Sequence, residues 1–581
     1  VGGAFAARFL AEYDARCLLS TVDVYDPSPQ LSQVLNHLSS DSSNSVVDLQ
    51  GPRVSTLVLE GGNISVELGA SIIFGGNKLI TEQVESDPSL EKAPPGNTGK
   101  KTSDPGGFGL YDGNGIWDLI VRDDEPDWKV ALQLAWRYNF DLIKMRSAVK
   151  DAYASFEKIY KIIDGPSVFA SPDELWKAVG LFKTTTLSFE EYLDTIGVSG
   201  SKQKASTELS DVEWSWPRAA FAEFLPGWDS IARIFLPGHG SLRRELLEAI
   251  NENNYNQNNS ELDGLAGLVS FIPTQGDIYC VRHGNSQIIA SAFSRAKRIH
   301  AAKCSSNDDR TGIQGREMDK NDADFRHVKI IVTSVVFNDD RVELWGKNST
   351  GENGASNDAD PVMIGYYDTV ILAAPLQHAQ IEFKAKDSAG VIRPLQLNRL
   401  CQHNGKELSC DDSLPSSATR KYTQTVTTII ANATLAHENF GLTEDENVPR
   451  SISVTARGKQ EEGFSALSRL SDTEGSSGLF KIFSPDRLTE TQLSRWFGSN
   501  YIVKHEKIWG GPHGGAYPDF GGGGEAVRSL PFLLHGDEDG TGPSLFYINA
   551  IEATVSAMEI SAIGAKVVAK LAAIRMGILA H

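Results

Sequence analysis

The fold is decided by a stretch near the end of the 581-residue chain, Ser544-Leu-Phe-Tyr-Ile-Asn-Ala-Ile-Glu552-Ala-Thr-Val-Ser556-Ala-Met-Glu559-Ile-Ser-Ala-Ile-Gly564-Ala. A short apolar strand at 545–548 runs through Glu552 into a helix that opens with small residues. Exposed N–H groups at a helix N-terminus stabilise negative charge, and small side chains let a ligand approach the backbone. Two-domain flavoproteins hold the ribityl and pyrimidine end of the flavin in this way, so the stretch predicts a flavin site.

A matching half-site lies at the other end of the chain. Val1-Gly2-Gly3-Ala4 opens a predicted helix over 1–12, and a predicted strand over 17–25 ends in Tyr25-Asp26-Pro27. Dinucleotide-binding folds place an acid roughly 20 residues past a glycine-rich turn, where it holds the ribose hydroxyls. Asp26 has this spacing from Gly2 and Gly3. We expect the first strand and the leading glycines of the motif to precede Val1.

Composition narrows the class of protein. A formal net charge of −20 argues against a nucleic-acid partner, because phosphate contacts need clustered Lys and Arg. No uncharged apolar run reaches the roughly 18 residues that a transmembrane helix needs, although peripheral membrane association stays open. The closest candidate, 560–580, carries Lys566, Lys570 and Arg575 and predicts an amphipathic surface helix.

The five cysteines show no metal-ligand spacing, and no metal is expected. Cys401 and Cys410 flank a polar loop, Gln-His-Asn-Gly-Lys-Glu-Leu-Ser. In a secreted protein these two residues would form a disulfide, and otherwise they are two free thiols.

A chain of this length predicts two interwoven domains. We predict an α/β fold with a discontinuous, Rossmann-type FAD-binding domain formed by 1–80, 270–380 and 540–581. An interleaved α+β substrate-binding domain with insertions is expected over 110–269 and 381–539.

The inserted region begins with helical spacing of apolar residues over 128–163. A helical block between the halves of a nucleotide-binding domain is where a substrate lid or tunnel would be built, which makes Trp136 a candidate for the substrate cavity. Ordinary helix packing is the alternative for Trp136. Farther along, 456–477 is expected to be a flexible loop.

Several segments resemble the prenylcysteine oxidases, also called prenylcysteine lyases. They occur in the family's order and cover most of the chain outside the insertions: Glu67-Leu-Gly-Ala-Ser-Ile, Trp136-Arg-Tyr, Tyr255-Asn-Gln257, Asp368-Thr-Val-Ile-Leu-Ala-Ala-Pro, Thr425-Val-Thr-Thr428, Lys481-Ile-Phe-Ser484 and Tyr547-Ile-Asn549-Ala-Ile-Glu552 with Ser556-Ala-Met-Glu559.

The resemblance implies an FAD-dependent thioether oxidase with an amine-oxidase-like, two-domain fold. Such an enzyme converts S-farnesyl- or S-geranylgeranyl-cysteine, with water and O2, into a prenyl aldehyde, cysteine and hydrogen peroxide. The carbon that loses hydride to the flavin is allylic and next to sulfur, so no catalytic base is required. His283 and His513 are therefore expected to be surface or loop residues.

The resemblance also assigns residues. Gly2, Gly3, Asp26 and Arg53 would hold the ADP part of FAD, with Val335 as a backbone contact to adenine; Arg53 in a surface salt bridge is the alternative. Glu552 would face the ribityl chain, or it would serve only as a helix N-terminal charge. The residues expected at the isoalloxazine are Gly69, Ala70, Ser71, Ser556, Ala557 and Met558. Those expected in the substrate cavity are Trp136, Gly284, Asn285 and Phe483.

One turn departs from the family pattern, because Arg282 and His283 stand where the family has a small residue before Gly284. An altered cavity would suit another prenylated or lipophilic metabolite, and loss of FAD would leave a non-catalytic lipid-binding protein. From the resemblance we expect the secretory route, ending in a lysosome- or vacuole-like compartment or outside the cell.

Overall fold

The computed structural model describes residues 1–26, 47–50, 54–59, 65–95, 106–198, 240–305, 324–348, 360–376, 378–395, 397, 400–404, 407–411, 422–443, 448–472, 478–509, 517–518, 529–537, 540 and 542–580. Arg53 and His513 lie outside these residues, so their expected roles stay predictions.

The α-helices of the described residues are α1 Gly2–Tyr13, α2 Lys78–Glu85, α3 Asp127–Tyr138, α4 Asp141–Phe156, α5 Lys158–Asp164, α6 Pro172–Val179, α7 Phe182–Thr185, α8 Phe189–Thr195, α9 Glu248–Tyr255, α10 Gly264–Val269, α11 Gln287–Ser305, α12 Ala456–Glu462, α13 Glu490–Phe497 and α14 Met558–Arg575. The helical character predicted for 128–163 is confirmed, but Asn139, at φ +51°, ends α3 and separates it from α4.

The strands are β1 Thr21–Tyr25, β2 Val47–Gln50, β3 Ser55–Val58, β4 Ser65–Glu67, β5 Ile73–Phe74, β6 Lys92–Ala93, β7 Gly107–Gly113, β8 Ile116–Arg122, β9 Ile278–Val281, β10 Asp324–Val328, β11 Ile330–Phe337, β12 Val342–Asn348, β13 Val362–Tyr367, β14 Thr369–Leu372, β15 Glu382–Lys386, β16 Ile392–Pro394, β17 Leu400–Asn404, β18 Glu407–Asp411, β19 Tyr422–Thr423, β20 Thr425–Ala433, β21 Ser451–Val454, β22 Ala466–Asp472, β23 Gly478–Ser484, β24 Ile502–Trp509, β25 Tyr517–Pro518, β26 Leu533–His535 and β27 Ser544–Tyr547.

The nucleotide-binding part brings distant strands side by side in parallel. β1 pairs with β10, and β14 pairs with β27. Helix α1 packs against both α11 and α14, burying Phe5, Phe9 and the alanines between them. Parallel strands with helices packed on them are the Rossmann-type arrangement predicted from the sequence.

Helix α14 differs from its prediction as an amphipathic surface helix. Its residues Ile560, Ile563, Val567 and Val568 are buried. The three cations that suggested a surface each have a partner elsewhere in the chain. Lys566 pairs with Asp164, Lys570 donates to the carbonyls of Gly165 and Ser167, and Arg575 Nε donates to Ser544 Oγ. The prediction was wrong because these partners are distant in sequence.

The substrate part is organised by a seven-stranded sheet in the order β24-β20-β23-β22-β21-β7-β8. Helix α12 and strand β22 occupy most of 456–477, where a flexible loop was expected. That prediction was wrong because β22 is stabilised by antiparallel pairing with β21 and β23, which local sequence does not reveal. A second, five-stranded sheet has the order β13-β12-β11-β15-β16, so it continues to Pro394, past the expected domain boundary at 380.

A disulfide joins Cys17, which precedes β1, to Cys304 at the end of α11. The bond spans 287 residues of sequence and fastens two elements of the nucleotide-binding part. The sequence analysis missed it because nothing local relates the two cysteines. Cys401 and Cys410 stand opposite each other in the β17–β18 hairpin, and whether they form a bond stays a prediction.

We expect the double substitution Cys17→Ser and Cys304→Ser to lower the free energy of unfolding by about 2–4 kcal/mol, because a cross-link over a long loop restricts the unfolded chain. Thermal denaturation followed by circular dichroism measures the change. Cys280→Ser is the control, because Cys280 is a free thiol that donates to the Pro94 carbonyl at 3.4 Å. Equal Tm values for the double variant and the wild type would contradict the expectation.

Candidate active site

A cavity of about 2670 Å³ runs between the nucleotide-binding part and the seven-stranded sheet. Most residues that the sequence placed at a cofactor or substrate line it together: Gly2, Gly3, Asp26, Gly69, Ala70, Ser71, Val335, Phe483, Glu552, Ser556, Ala557 and Met558. Gly284, Asn285 and Trp136 are not part of its lining. The predicted residues thus come from both ends of the chain and from the middle to form one space.

At one end of the cavity, the start of α1 meets the end of β27. A Cβ atom on Gly2 would lie 3.2 Å from Ile548 Cγ2, which is tighter than an ordinary van der Waals contact. Asp26 follows β1, and its backbone N–H donates to the Val328 carbonyl at 3.1 Å, which fixes the chain where the acid enters the lining. Small residues at a helix start and an acid at a strand end are the two elements that a dinucleotide requires.

Farther along the cavity, α14 begins at Met558 with Ala557 as its N-cap residue. Alanine has no polar side-chain atom, so it cannot cap the first N–H groups of the helix. Glu552 lies in the preceding 3₁₀ turn and is 3% exposed. Its Oε1 accepts a hydrogen bond from Ser561 Oγ at 3.4 Å. A helix N-terminus whose first residues line a cavity can hold an electron-rich ligand group.

The facing wall contains a buried cation. Lys481 on β23 donates from Nζ to the Glu67 carbonyl at 3.0 Å and to Ser71 Oγ at 2.7 Å. It lies beside Phe483, with Nζ 4.8 Å from the ring centroid. Desolvation by burial lowers the pKa of Lys481 to about 8, against the opposing effect of the Glu67 carboxylate. The ammonium is therefore held at the wall that Gly69, Ala70 and Ser71 form.

Glu67 and Asn285 fix that wall from behind. Asn285 is fully buried; its backbone N–H donates to Glu67 Oε1 at 2.6 Å, and its Nδ2 donates to the Ala70 carbonyl at 2.8 Å. Thr56 Oγ1 also donates to Glu67 Oε1, at 3.1 Å. Desolvation nevertheless raises the pKa of Glu67 to about 7. Asn285 is thus a positioning residue behind the cavity rather than part of its lining.

The turn that departs from the family pattern keeps its two charged residues out of the cavity lining. Gly284 has φ +120°, and a Cβ there would lie 2.4 Å from the side chain of Thr56, so only glycine fits. Arg282 and His283 are exposed, and Arg282 pairs with Glu91 at 2.8 Å. The two charged residues are therefore accommodated on the outer side of the turn.

Trp136 lies on the outer surface of α3 and is 44% exposed. It is away from the cavity because the residues that attach α3 to the sheet are on the opposite side of the helix, where Leu134 packs near Leu110 and Leu119. Lys481 and Glu67, in contrast, were not assigned roles from the sequence. Their signal was a lone lysine in the apolar strand Leu-Phe-Lys-Ile-Phe and an acid directly before Leu68-Gly69.

The residues present fit a flavin dinucleotide. The glycines at the start of α1 leave room for a pyrophosphate, and Asp26 provides an acceptor for ribose hydroxyls. Small residues and the start of α14 line the remaining length of the same cavity. This arrangement, in a cavity that also reaches Phe483 and Trp509 of the substrate sheet, suits a redox cofactor that must contact a second molecule.

The fold and the cavity together define a two-domain α/β oxidoreductase. The chain belongs to the prenylcysteine lyase family, whose model matches residues 121–207 and 328–578.

Its relatives include prenylcysteine oxidase 1 of Mus musculus, which is 24% identical over 531 residues that make up 88% of this chain and 79% of the mouse protein. Farnesylcysteine lyase of Arabidopsis thaliana is 22% identical over 539 residues, 90% of this chain and 80% of that protein. Among solved structures, cyclohexylamine oxidase from Brevibacterium oxydans IH-35A aligns with a TM-score of 0.44 and 13% identity, covering 96% of this chain and 98% of that one.

Within the described residues, no helix has both the length and the apolar character needed to span a bilayer.

Glu67→Gln is expected to flatten the dependence of stability on pH. The folded-state pKa of Glu67 is raised to about 7, so its contribution to stability is complete below its ordinary pKa near 4.5 and is lost as the pH rises through 7. Glutamine resembles the protonated acid and cannot ionise. Between pH 5 and pH 8 the free energy of unfolding of the wild type should therefore fall by about 2–3 kcal/mol more than that of the variant.

Denaturant melts at the two pH values measure this difference. Asp340→Asn, which replaces an exposed acid, is the control and should keep the wild-type pH dependence. Parallel pH profiles for Glu67→Gln and the wild type would refute a raised pKa at Glu67.

Proposed function

We propose that the protein is an FAD-dependent oxidase of S-prenyl-L-cysteine with a farnesyl or geranylgeranyl chain. In the reaction, the thioether, O2 and water give a prenyl aldehyde, cysteine and hydrogen peroxide. Two electrons leave the carbon bonded to sulfur, water supplies the aldehyde oxygen, and the C–S bond breaks with the proton going to the thiol. O2 takes up the two electrons and two protons.

The observation that carries this proposal is the continuity of the cavity. The same space is lined by Gly2 and Gly3 at its nucleotide end and by Leu470, Phe483 and Trp509 of the seven-stranded sheet. An apolar wall on the substrate side suits a prenyl chain, because burial of apolar surface stabilises the complex. Family membership points to the same substrate class.

The chain's own residues supply position and charge. Bound FAD would accept hydride from the substrate and pass the electrons to O2. The substrate's sulfur and allylic double bond stabilise the positive charge left on carbon. The ammonium group of Lys481 lies beside Ser71, and its positive charge would favour negative charge on a ring bound against this wall. The apolar residues around Phe483 exclude water from the prenyl chain.

The Cys17–Cys304 disulfide supports a location on the secretory route. Disulfides form and persist in oxidising compartments and are rare in the reducing cytosol. We propose a lysosome- or vacuole-like organelle or the extracellular space.

The visible spectrum of the purified protein tests the proposed function. We expect flavin bands that bleach when S-farnesylcysteine is added without oxygen, and farnesal and hydrogen peroxide once air enters. S-farnesylthiopropionate, which has the same thioether and chain but lacks the amino group, is a matched control for recognition of the cysteine part.

Other spectral outcomes separate the alternatives. Flavin bands that persist after S-farnesylcysteine is added would exclude this substrate and favour another prenylated or lipophilic metabolite. A protein that does not retain FAD would exclude both hypotheses of an oxidase, for prenylcysteine and for another metabolite, and would leave a lipid-binding protein.

Lys481→Met should lower the reduction potential of the bound flavin and slow its reoxidation by O2 by about tenfold to a hundredfold, because a fixed cation beside the ring is lost. A dye-coupled redox titration and stopped-flow reoxidation measure the two effects. Lys507→Met is the control, because Lys507 also lines the cavity but donates to Ser55 Oγ on a different part of the wall. An unchanged potential in Lys481→Met would remove Lys481 from this role.

A further inference from the structure

Helix α3 turns its apolar stripe toward solvent. Of its twelve residues only Tyr138 is buried. The exposed apolar residues recur at helical spacing and occupy one face: Trp128, Ala131, Leu132, Ala135 and Trp136. An amphipathic helix of a globular protein ordinarily buries this stripe against the core. The reversed orientation indicates that α3 meets an apolar environment outside the described residues.

The apolar surface continues into α4 and forms what we call the α3–α4 patch, made of Trp128, Leu132, Trp136, Phe140 and Ile143. The two most exposed members, Phe140 and Trp128, are 77% and 69% exposed. Single exposed apolar residues are common on protein surfaces, but contiguous groups of large ones mark interaction sites.

The helix is held firmly in this orientation by its other side. Arg137 pairs with Asp118 and with Glu245, each at 2.7 Å, and all three side chains are largely buried. Leu134 packs against the small cluster that contains Leu119. The outward position of the stripe is therefore fixed by contacts with β8 and with the segment that leads into α9.

The residue types around the patch fit a lipid surface. Four exposed bases stand on α3 and α4: Lys129, Lys144, Arg146 and Lys150. Lys129 pairs with Glu125 at 2.7 Å and Lys144 pairs with Asp141 at 2.9 Å, so Arg146 and Lys150 are the bases best placed to meet anionic headgroups. Tryptophan and lysine or arginine together are the residues that helices lying on a membrane present to its interface.

The patch also lies on the outer side of a cavity wall. Asp123, four residues before α3, lines the cavity, and so does Ile250 of α9. Ala249, next to Ile250, belongs to the cluster on which Leu134 of α3 packs. One short layer of structure therefore separates the patch from the space that receives the substrate.

We propose that the α3–α4 patch docks on the surface of a lipid bilayer. The tryptophans and Phe140 enter the interface between headgroups and acyl chains, and the flanking bases meet anionic headgroups. The biological purpose of this docking rests on the proposed function. A prenylated substrate partitions into bilayers, and a docked enzyme would receive it beside the cavity.

Flotation with lipid vesicles tests the proposal on the full chain. The probes are vesicles of phosphatidylcholine, alone or with a minor fraction of phosphatidylserine. We expect the wild type to float with the vesicles, more strongly with phosphatidylserine. In the variant Trp128→Ser/Leu132→Ser/Phe140→Ser, partitioning onto the vesicles should fall by about tenfold or more, because its apolar anchors are lost. The control Val362→Ser/Met363→Ser/Ile392→Ser removes comparably exposed apolar residues from the five-stranded sheet and should float as the wild type does.

Two results would overturn the proposal. The first is a wild type that floats with neither kind of vesicle, and the second is a triple variant that floats as well as the wild type. In the second case, a lower Tm or a dimer-to-monomer change in light scattering would assign the patch to another part of the chain or to a second copy. Flotation is independent of catalysis, so vesicle binding without bleaching by S-farnesylcysteine would refute the proposed function alone.

Discussion

The cavity depends on the hydrogen bonds around Glu67. Its Oε1 accepts from the backbone of Asn285 and from Thr56, and its carbonyl accepts from Lys481. One residue thus ties β4 to the turn before α11 and to β23 of the substrate sheet. Because Gly69 and Ser71 follow two and four residues after Glu67, the position of the wall that they form is set where the two parts of the fold meet.

A second buried acid, Glu559, ties two helices together. Glu559 of α14 accepts from the backbone N–H groups of Leu79 and Ile80, at 2.9 and 3.0 Å, and so caps α2. Desolvation raises the pKa of Glu559 to about 7, as it does for Glu67. Both acids are removed from water by burial, and both hold backbone segments near the cavity through hydrogen bonds. Precise placement of small residues, which cannot fix their own position by side-chain contacts, requires such neighbours.

The sequence predicted those features whose information is local. The strand and helix at 544–565 and the spacing from Gly2 to Asp26 can each be recognised within one short stretch of sequence. The structure places residues of both stretches at one cavity. It could not predict the burial of α14, because Lys566 and Arg575 find their partners in Asp164 and Ser544. It likewise missed the Cys17–Cys304 bond, which joins segments 287 residues apart, and strand β22, which is stabilised by pairing with β21 and β23.

Lys481 shows why the site could not be completed from pattern alone. A lysine in an apolar strand looks unfavourable, and burial does lower its pKa to about 8. Its two acceptors, the Glu67 carbonyl and Ser71 Oγ, use two of the three donors of an ammonium. A buried cation with a donor to spare is costly unless a further electron-rich group completes its shell. Lys481 lines the cavity, where water or a bound molecule can accept a hydrogen bond from the remaining donor.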